Sequence, residues 1–201
     1  MHQMRAGPAP QACRRDHHVL LVANLRLQTP THRDVAIMRA AASDPEAQRW
    51  LGWPGNMLIP EPERDRLLAM EPGRGRAAGH LDLWLCAVDR TSGMVAGGAA
   101  LDAYSLEAGG WLAPAFRGHG LGKDLFAAIA QFAHNHLGMT SVAAGTDAAN
   151  AACMAALLAA EFKPGQGPPV HVLQDGRTVP ALPMPTIRPS RMPMSPFTMP
   201  Q

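Results

Sequence analysis

Residues 114–123 read Pro-Ala-Phe-Arg-Gly-His-Gly-Leu-Gly-Lys, and here residue type and spacing together point to chemistry. Glycines stand at alternate positions, Gly118, Gly120 and Gly122. A backbone without Cβ atoms turns tightly and lets an anion come close. From Leu121 onward the apolar residues fall at helical spacing, so the loop opens a helix. The unpaired N–H groups of a first helical turn, at the positive end of its dipole, bind phosphate oxygens. The stretch therefore describes a seat for a pyrophosphate, built on N–H groups of His119, Gly120, Leu121, Gly122 and Lys123, with Arg117 and Gly118 beside them.

Two common phosphate loops do not match. A nucleoside triphosphate loop needs Gly-x-x-x-x-Gly-Lys followed by Ser or Thr, but Arg117 stands at the first glycine position and Asp124 follows Lys123. A dinucleotide loop needs Gly-x-Gly-x-x-Gly early in a βαβ unit, whereas this chain has Gly-x-Gly-x-Gly past its midpoint. Other reactive side chains carry less. His134 and His136 are two apart on a predicted helix, diverge, and read as solvated rather than as metal ligands. Cys13, Cys86 and Cys153 have no metal-ligand or disulfide spacing, so no metal site is expected, and Cys153 reads as a small buried residue. Asn150 precedes an alanine-rich run and suits a helix N-cap. Trp50, Trp53, Trp84 and Trp111 suit a core or a cleft wall.

The elements that position the loop are legible from periodicity. Val19 to Leu27 reads as a strand, and Thr31 with Asp34 starts a helix running through Ala42. Asp44-Pro45 starts another. Leu81 to Val88 and Met94 to Ala100 form a hairpin about the turn-rich Asp89 to Gly93. Ala108 to Ala113 is the strand feeding the loop. Leu121 to His136 is a helix with apolar residues at 121, 125, 129, 132 and 133. Ser141 to Gly145 is a short strand, and Asn150 to Phe162 a helix ended by Pro164-Gly165. Asp175-Gly176 favours a two-residue turn between two last strands.

Composition bounds the class. The 201 residues are 47% hydrophobic and 17% charged with a formal net charge of +2, which fits one folded domain and gives nucleic-acid binding little support. No apolar run is long enough for a bilayer span or a secretory leader, and scattered cysteines fit a reducing cytoplasm. Residues 1–18 lack periodicity and are expected as a tail. Beyond Pro164 the chain is rich in proline, with Met184, Met192, Met194 and Met199, which argues against packing there.

Gly-Gly-Trp-Leu-Ala-Pro at 109–114 followed by Arg117, Gly120 and Gly122 as Arg-x-x-Gly-x-Gly resembles the Gcn5-related N-acetyltransferases (GNAT). The closer likeness is to the ribosomal-protein-alanine acetyltransferase subgroup. Leu25 to Val35, Asp44 to Pro54, Asn150 to Phe162 and Asp175-Gly176-Arg177 resemble its flanking elements. The resemblance implies an α/β fold with a mixed, mostly antiparallel sheet splayed to form an acetyl-CoA cleft, and helices on both faces. It implies a domain over 19–179, followed by a Pro/Met-rich tail over 180–201. Trp111, Leu112 and Ala113 would bond the pantetheine arm, residues 117–123 the pyrophosphate, and Asn150 the cofactor near the second strand. Leu112 N–H would stabilise the oxyanion and Glu107 would act as base. The implied reaction is attack of a primary amine, on a protein N-terminus or a small molecule, on the thioester of acetyl-CoA; a homodimer is compatible with it.

Departures keep a second class open. Many members carry a tyrosine acid seven residues beyond the position of Asn150, where this chain has Leu157, and its single tyrosine is Tyr104. Glu161 stands where a glycine is usual. Pro180, Pro183 and Pro185 remove backbone donors from the last strand, restricting it to an edge or cutting it short. The alternative is therefore a CoA-binding sensor or scaffold without catalysis.

Overall fold

The computed structural model describes residues 18–40, 44–52, 82–102, 105–173 and 175–187. Its strands are β1 (Val19–Val22), β2 (Leu25–Gln28), β3 (Asp82–Asp89), β4 (Val95–Asp102), β5 (Glu107–Leu112), β6 (Ser141–Asp147), β7 (Val170–Val172) and β8 (Thr178–Ile187). They form one sheet in the order β1-β2-β3-β4-β5-β6-β8-β7. Its pairs are antiparallel except β5 with β6. The helices are α1 (His32–Ala40), α2 (Pro45–Leu51), α3 (Leu121–Gln131) and α4 (Ala151–Ala159).

Pleating sorts the sheet into two faces, because residues paired across antiparallel strands share a side. Leu85, Ala99 and Gly110 lie on one face with Leu83, Leu101 and Ala108, and these pack beneath α3 through Leu121, Leu125 and Ile129. Cys86, Gly98 and Trp111 lie on the other, under Met38 of α1, with Leu51 of α2 at the margin. Helices thus cover both faces, as the resemblance implied.

Several local readings need correction. Val19 to Leu27 is not one strand but the hairpin β1–β2, because the chain reverses at Ala23, whose φ is 44°, and Asn24. Guanidinium and backbone N–H of Arg90 hold that turn by donating to the carbonyls of Ala23 and Asn24. The helix from Leu121 widens after Gln131 into a turn where Leu137 N–H reaches back to the Phe132 carbonyl. There His134 is buried, its Nδ1 2.8 Å from the Met139 carbonyl, and not solvated as expected. Helix α4 ends before Pro164: Phe162 N–H bonds the Leu157 carbonyl and Glu161 takes the left-handed conformation, φ 67°, that usually selects glycine. The last hairpin closes on Leu173 and Arg177 rather than on a two-residue turn, with Gly176 at φ 83°.

The largest correction concerns the prolines. The boundary expected at 179 falls inside β8, which continues to Ile187 and pairs with β6 along Ser141–Asp147. Ala181 N–H bonds the Pro169 carbonyl, and the carbonyls of Pro183 and Pro185 accept from Gly165 and Lys163. Odd-numbered residues therefore face away from β6, so a proline there removes no donor from the β6 ladder. Even-numbered Met184 is fully buried. Alternate placement lets a proline-rich segment act as an inner strand on one side and an edge on the other.

Candidate functional site

β5 and β6 run parallel from a common start and then separate. Their register contains a single pair, Glu107 with Ala143, supported by a 2.8 Å bond from Ala143 N–H to the Leu106 carbonyl. Beyond it β5 stays paired with β4 and β6 with β8, so a cleft opens between Gly109–Leu112 and Gly145–Asp147. Backbone alternation decides what β5 offers to it. Ala113 N–H bonds the Ala96 carbonyl, so residues 109, 111 and 113 turn their polar groups toward β4. Gly110 and Leu112 turn theirs toward the cleft. Trp111 and Ala113, expected to bond a ligand through their backbones, have spent those groups on the ladder; Gly110, which motif reasoning missed, replaces them. The period-two pattern of Gly109-Gly110-Trp111-Leu112 held that signal.

At the open end of β5 a tight turn, Pro114–Phe116, leads into the glycine loop. Gly118 and Gly120 both have φ of 78°, and a Cβ on either would meet nothing within 4 Å. They are required for conformation, and their surroundings are open. Gly122 serves packing instead. A Cβ there would stand 3.0 Å from that of Ala156, so its absence lets α3 approach α4. The start of α3 is the informative contrast. Thr31 and Asp34 cap α1 reciprocally, Asp44 accepts from Ala47 N–H at α2, and Asn150 accepts from Cys153 N–H at α4. At α3 the N-cap is Gly120 and no side chain caps it. Asp124 in that first turn is buried; one carboxylate oxygen accepts from the Asn24 amide at 3.0 Å and the other lies 3.8 Å from the Lys123 ammonium. His119 and Lys123 are both exposed beside the free N–H groups.

Arg117 is not placed as a phosphate ligand. Its Nε donates to the Leu112 carbonyl at 2.9 Å and its terminal nitrogen to the Asp44 carboxylate, which also caps α2. Burial raises the Asp44 pKa, but hydrogen bonds from Arg117 and Ala47 and the charge of Arg117 outweigh it, leaving the carboxyl below its ordinary value. Glu107 is exposed at the closed end of the cleft, opposite Asp102. At about 3.3 Å per residue it lies about 17 Å along β5 from Leu112 and about 10 Å from Gly110. The structure does not bring Glu107 and Leu112 together. Asn150 is the cap of α4. Leu157 is fully buried, so that face of α4 belongs to the core.

Of the tryptophans, Trp111 is buried against Gly98, Trp84 is 39% exposed on the face of Gly109, and Trp50 donates to Glu46 under the Arg49 guanidinium. Trp53, Tyr104 and Cys13 lie outside the described residues. Cys153 is half-buried rather than buried, and desolvation raises its thiol pKa against an opposing hydrogen bond with Thr146. Among the described residues no cluster of His, Cys, Asp or Glu could hold a metal, and no helix is long and apolar enough to cross a membrane.

The family model described as Acetyltransferase (GNAT) domain matches residues 24–163. No curated protein sequence matches. Among solved structures, a GNAT-family acetyltransferase from Bacillus anthracis is similar at 9% identity and a TM-score of 0.65, covering 85% of this chain and 98% of its own. RimL, a ribosomal L7/L12 alpha-N-protein acetyltransferase in complex with coenzyme A, is similar at 16% identity and a TM-score of 0.63, with 85% and 98% covered. AAC(6')-Ib in complex with paromomycin and acetyl-CoA is similar at 19% identity and a TM-score of 0.63, with 83% and 94% covered.

Proposed function

The chain belongs to the acetyltransferase (GNAT) family, and from that premise we propose that it transfers an acetyl group from acetyl-CoA to a primary amine. The observation that carries the reading is the uncapped N-terminus of α3 behind Gly118 and Gly120, at the mouth of the β5–β6 cleft. Bound there, acetyl-CoA supplies an activated acyl group as a thioester. N–H groups of Gly120, Leu121, Gly122 and Lys123 suit its pyrophosphate, with His119 and Lys123 adding positive charge when protonated.

Because the loop follows Leu112, the arm enters from that end and the reacting carbonyl lies deeper. Leu112 N–H then binds the arm as an added strand would, and Gly110 N–H is the donor nearest the developing oxyanion. Glu107 sits still deeper, on the face that carries Gly109 and Trp84. Over about 10 Å it takes the amine proton through water rather than directly. An α-amino group, with a pKa of about 7.7–8.0, needs less of this help than a lysine at about 10.4. With Leu157 buried, no side chain at that position protonates the departing thiolate.

Acceptors of this reading are protein N-termini or small amines, the two kinds that the names of RimL and of the aminoglycoside acetyltransferase AAC(6')-Ib describe. Free Cys86 and Cys153 accord with a cytoplasmic setting, and a homodimer is compatible with it. The domain we propose runs from residue 19 to the end of β8. The test is thiol release from acetyl-CoA across N-terminal peptides, diamines and aminoglycosides. Release on one class identifies the acceptor. Binding without release on any would favour the sensor.

A further inference from the structure

We propose that Arg117 and Asp44 are positioning residues that lock the cofactor strand to helix α2, so that the strand, the glycine loop and that helix are held as one unit. The proposal rests on the reading of the cleft as an acetyl-CoA site.

Three elements meet at this pair. Arg117 leaves the glycine loop and donates Nε to the carbonyl of Leu112, one of the two β5 residues whose polar groups face the cleft. That bond takes the carbonyl and leaves the N–H of the same residue presented to the arm. The other end of the guanidinium holds Asp44, whose Oδ2 also accepts from Ala47 N–H as the cap of α2. At the opposite end of α2, Arg177 of the β7–β8 hairpin donates to the carbonyls of Gln48 and Arg49 at 3.1 and 3.2 Å. An arginine from the cofactor side therefore fixes the start of α2, and one from the last hairpin fixes its end.

The helix has only seven residues and one buried side chain, Ala47, so its own packing holds it weakly. Its location then depends on these two clamps. A planar fork with two engaged nitrogens is needed for the first clamp, and a lysine ammonium on its flexible stem does not reproduce it. The arrangement also accounts for an arginine at 117 that is not aimed at a phosphate.

The test compares wild type, Arg117→Lys and Asp44→Asn, each first shown by thermal melting to be folded. Hydrogen exchange of the amides of 45–51 is followed without ligand, and kcat/KM is measured with acetyl-CoA and with acetyl-pantetheine, which lacks the pyrophosphate. Both variants should speed exchange in α2 by at least about fivefold. Their kcat/KM should fall by the same factor, about tenfold, with either acyl donor, and the double variant should be no worse than the single ones. A loss in Arg117→Lys confined to acetyl-CoA would make Arg117 a phosphate ligand and overturn the proposal. Unchanged exchange in α2 would do the same. If wild type acetylates no amine, the enzymatic reading fails, and the exchange data still decide whether the clamp exists.

Discussion

Replacing Gly118 or Gly120 by alanine should weaken acetyl-CoA binding, and replacing either by asparagine should weaken it less. Both glycines have φ of 78°, and the space where a Cβ would go is empty to 4 Å. The penalty is therefore conformational rather than steric. Holding an L-residue in the left-handed region costs about 1–2 kcal/mol, and asparagine is among the few non-glycine residues that visit it routinely. In the free protein an exposed loop relaxes to negative φ, and binding must restore the left-handed turn. At about 1.4 kcal/mol per tenfold, each alanine should raise the Kd about 5- to 30-fold. Isothermal titration with acetyl-CoA reads this, and a melting curve on the same sample detects the part of the strain kept in the free protein. Asparagine binding worse than alanine would show that bulk near the ligand dominates. Alanine variants with unchanged Kd and unchanged melting would refute the role of the loop altogether.

Other consequences follow from the same geometry. Gly110→Pro removes the proposed oxyanion donor, whereas Gly110→Ala carries the same Cβ and keeps the N–H; kcat should be about 10²- to 10³-fold lower in the first than in the second. Equal rates would clear Gly110 of the role. Glu107→Gln should lower kcat by about 10²-fold with acetyl-CoA affinity retained, and more for a lysine acceptor than for an α-amine. Full turnover in that variant would remove Glu107 from the mechanism. Glu161→Gly relieves the left-handed strain at the end of α4 and should raise stability by about 1 kcal/mol in denaturant unfolding, with no change in turnover; a loss of stability would refute the strain. Asp44 has a folded pKa below its ordinary value of 3.8, so its stabilising contribution is full above that pH and lost as pH falls through the depressed folded value. The stability advantage of wild type over Asp44→Asn should accordingly be present at pH 7 and vanish in acid below the ordinary value, and a pH-independent difference would contradict the assignment.

Much of the fold is readable from sequence because local rules and tertiary structure agree. The glycine loop, the capping box at Thr31 and Asp34, and the cap at Asn150 are short-range patterns whose partners lie within a few residues. What fails depends on distant partners. Nothing near Arg117 in sequence tells that Asp44, at the start of another helix, takes its guanidinium. Burial of His134 comes from a widened turn that composition does not announce. Prolines at 180, 183 and 185 argue against a strand until the side of β8 facing β6 is known: Pro183 and Pro185 then fall on the side away from β6, and Pro180 lies beyond the end of that ladder. Resemblance alone makes Glu107 the base and Leu112 the oxyanion donor, and only the length of the strand shows that about 17 Å of β5 separates them.

The most direct test is calorimetric titration of the intact chain with acetyl-CoA and, in parallel, with acetyl-pantetheine. The account predicts saturable binding of acetyl-CoA at one site, much tighter than that of acetyl-pantetheine because only the former places a pyrophosphate on the start of α3. Equal affinities would contradict the pyrophosphate seat, and no binding of acetyl-CoA would contradict the account as a whole.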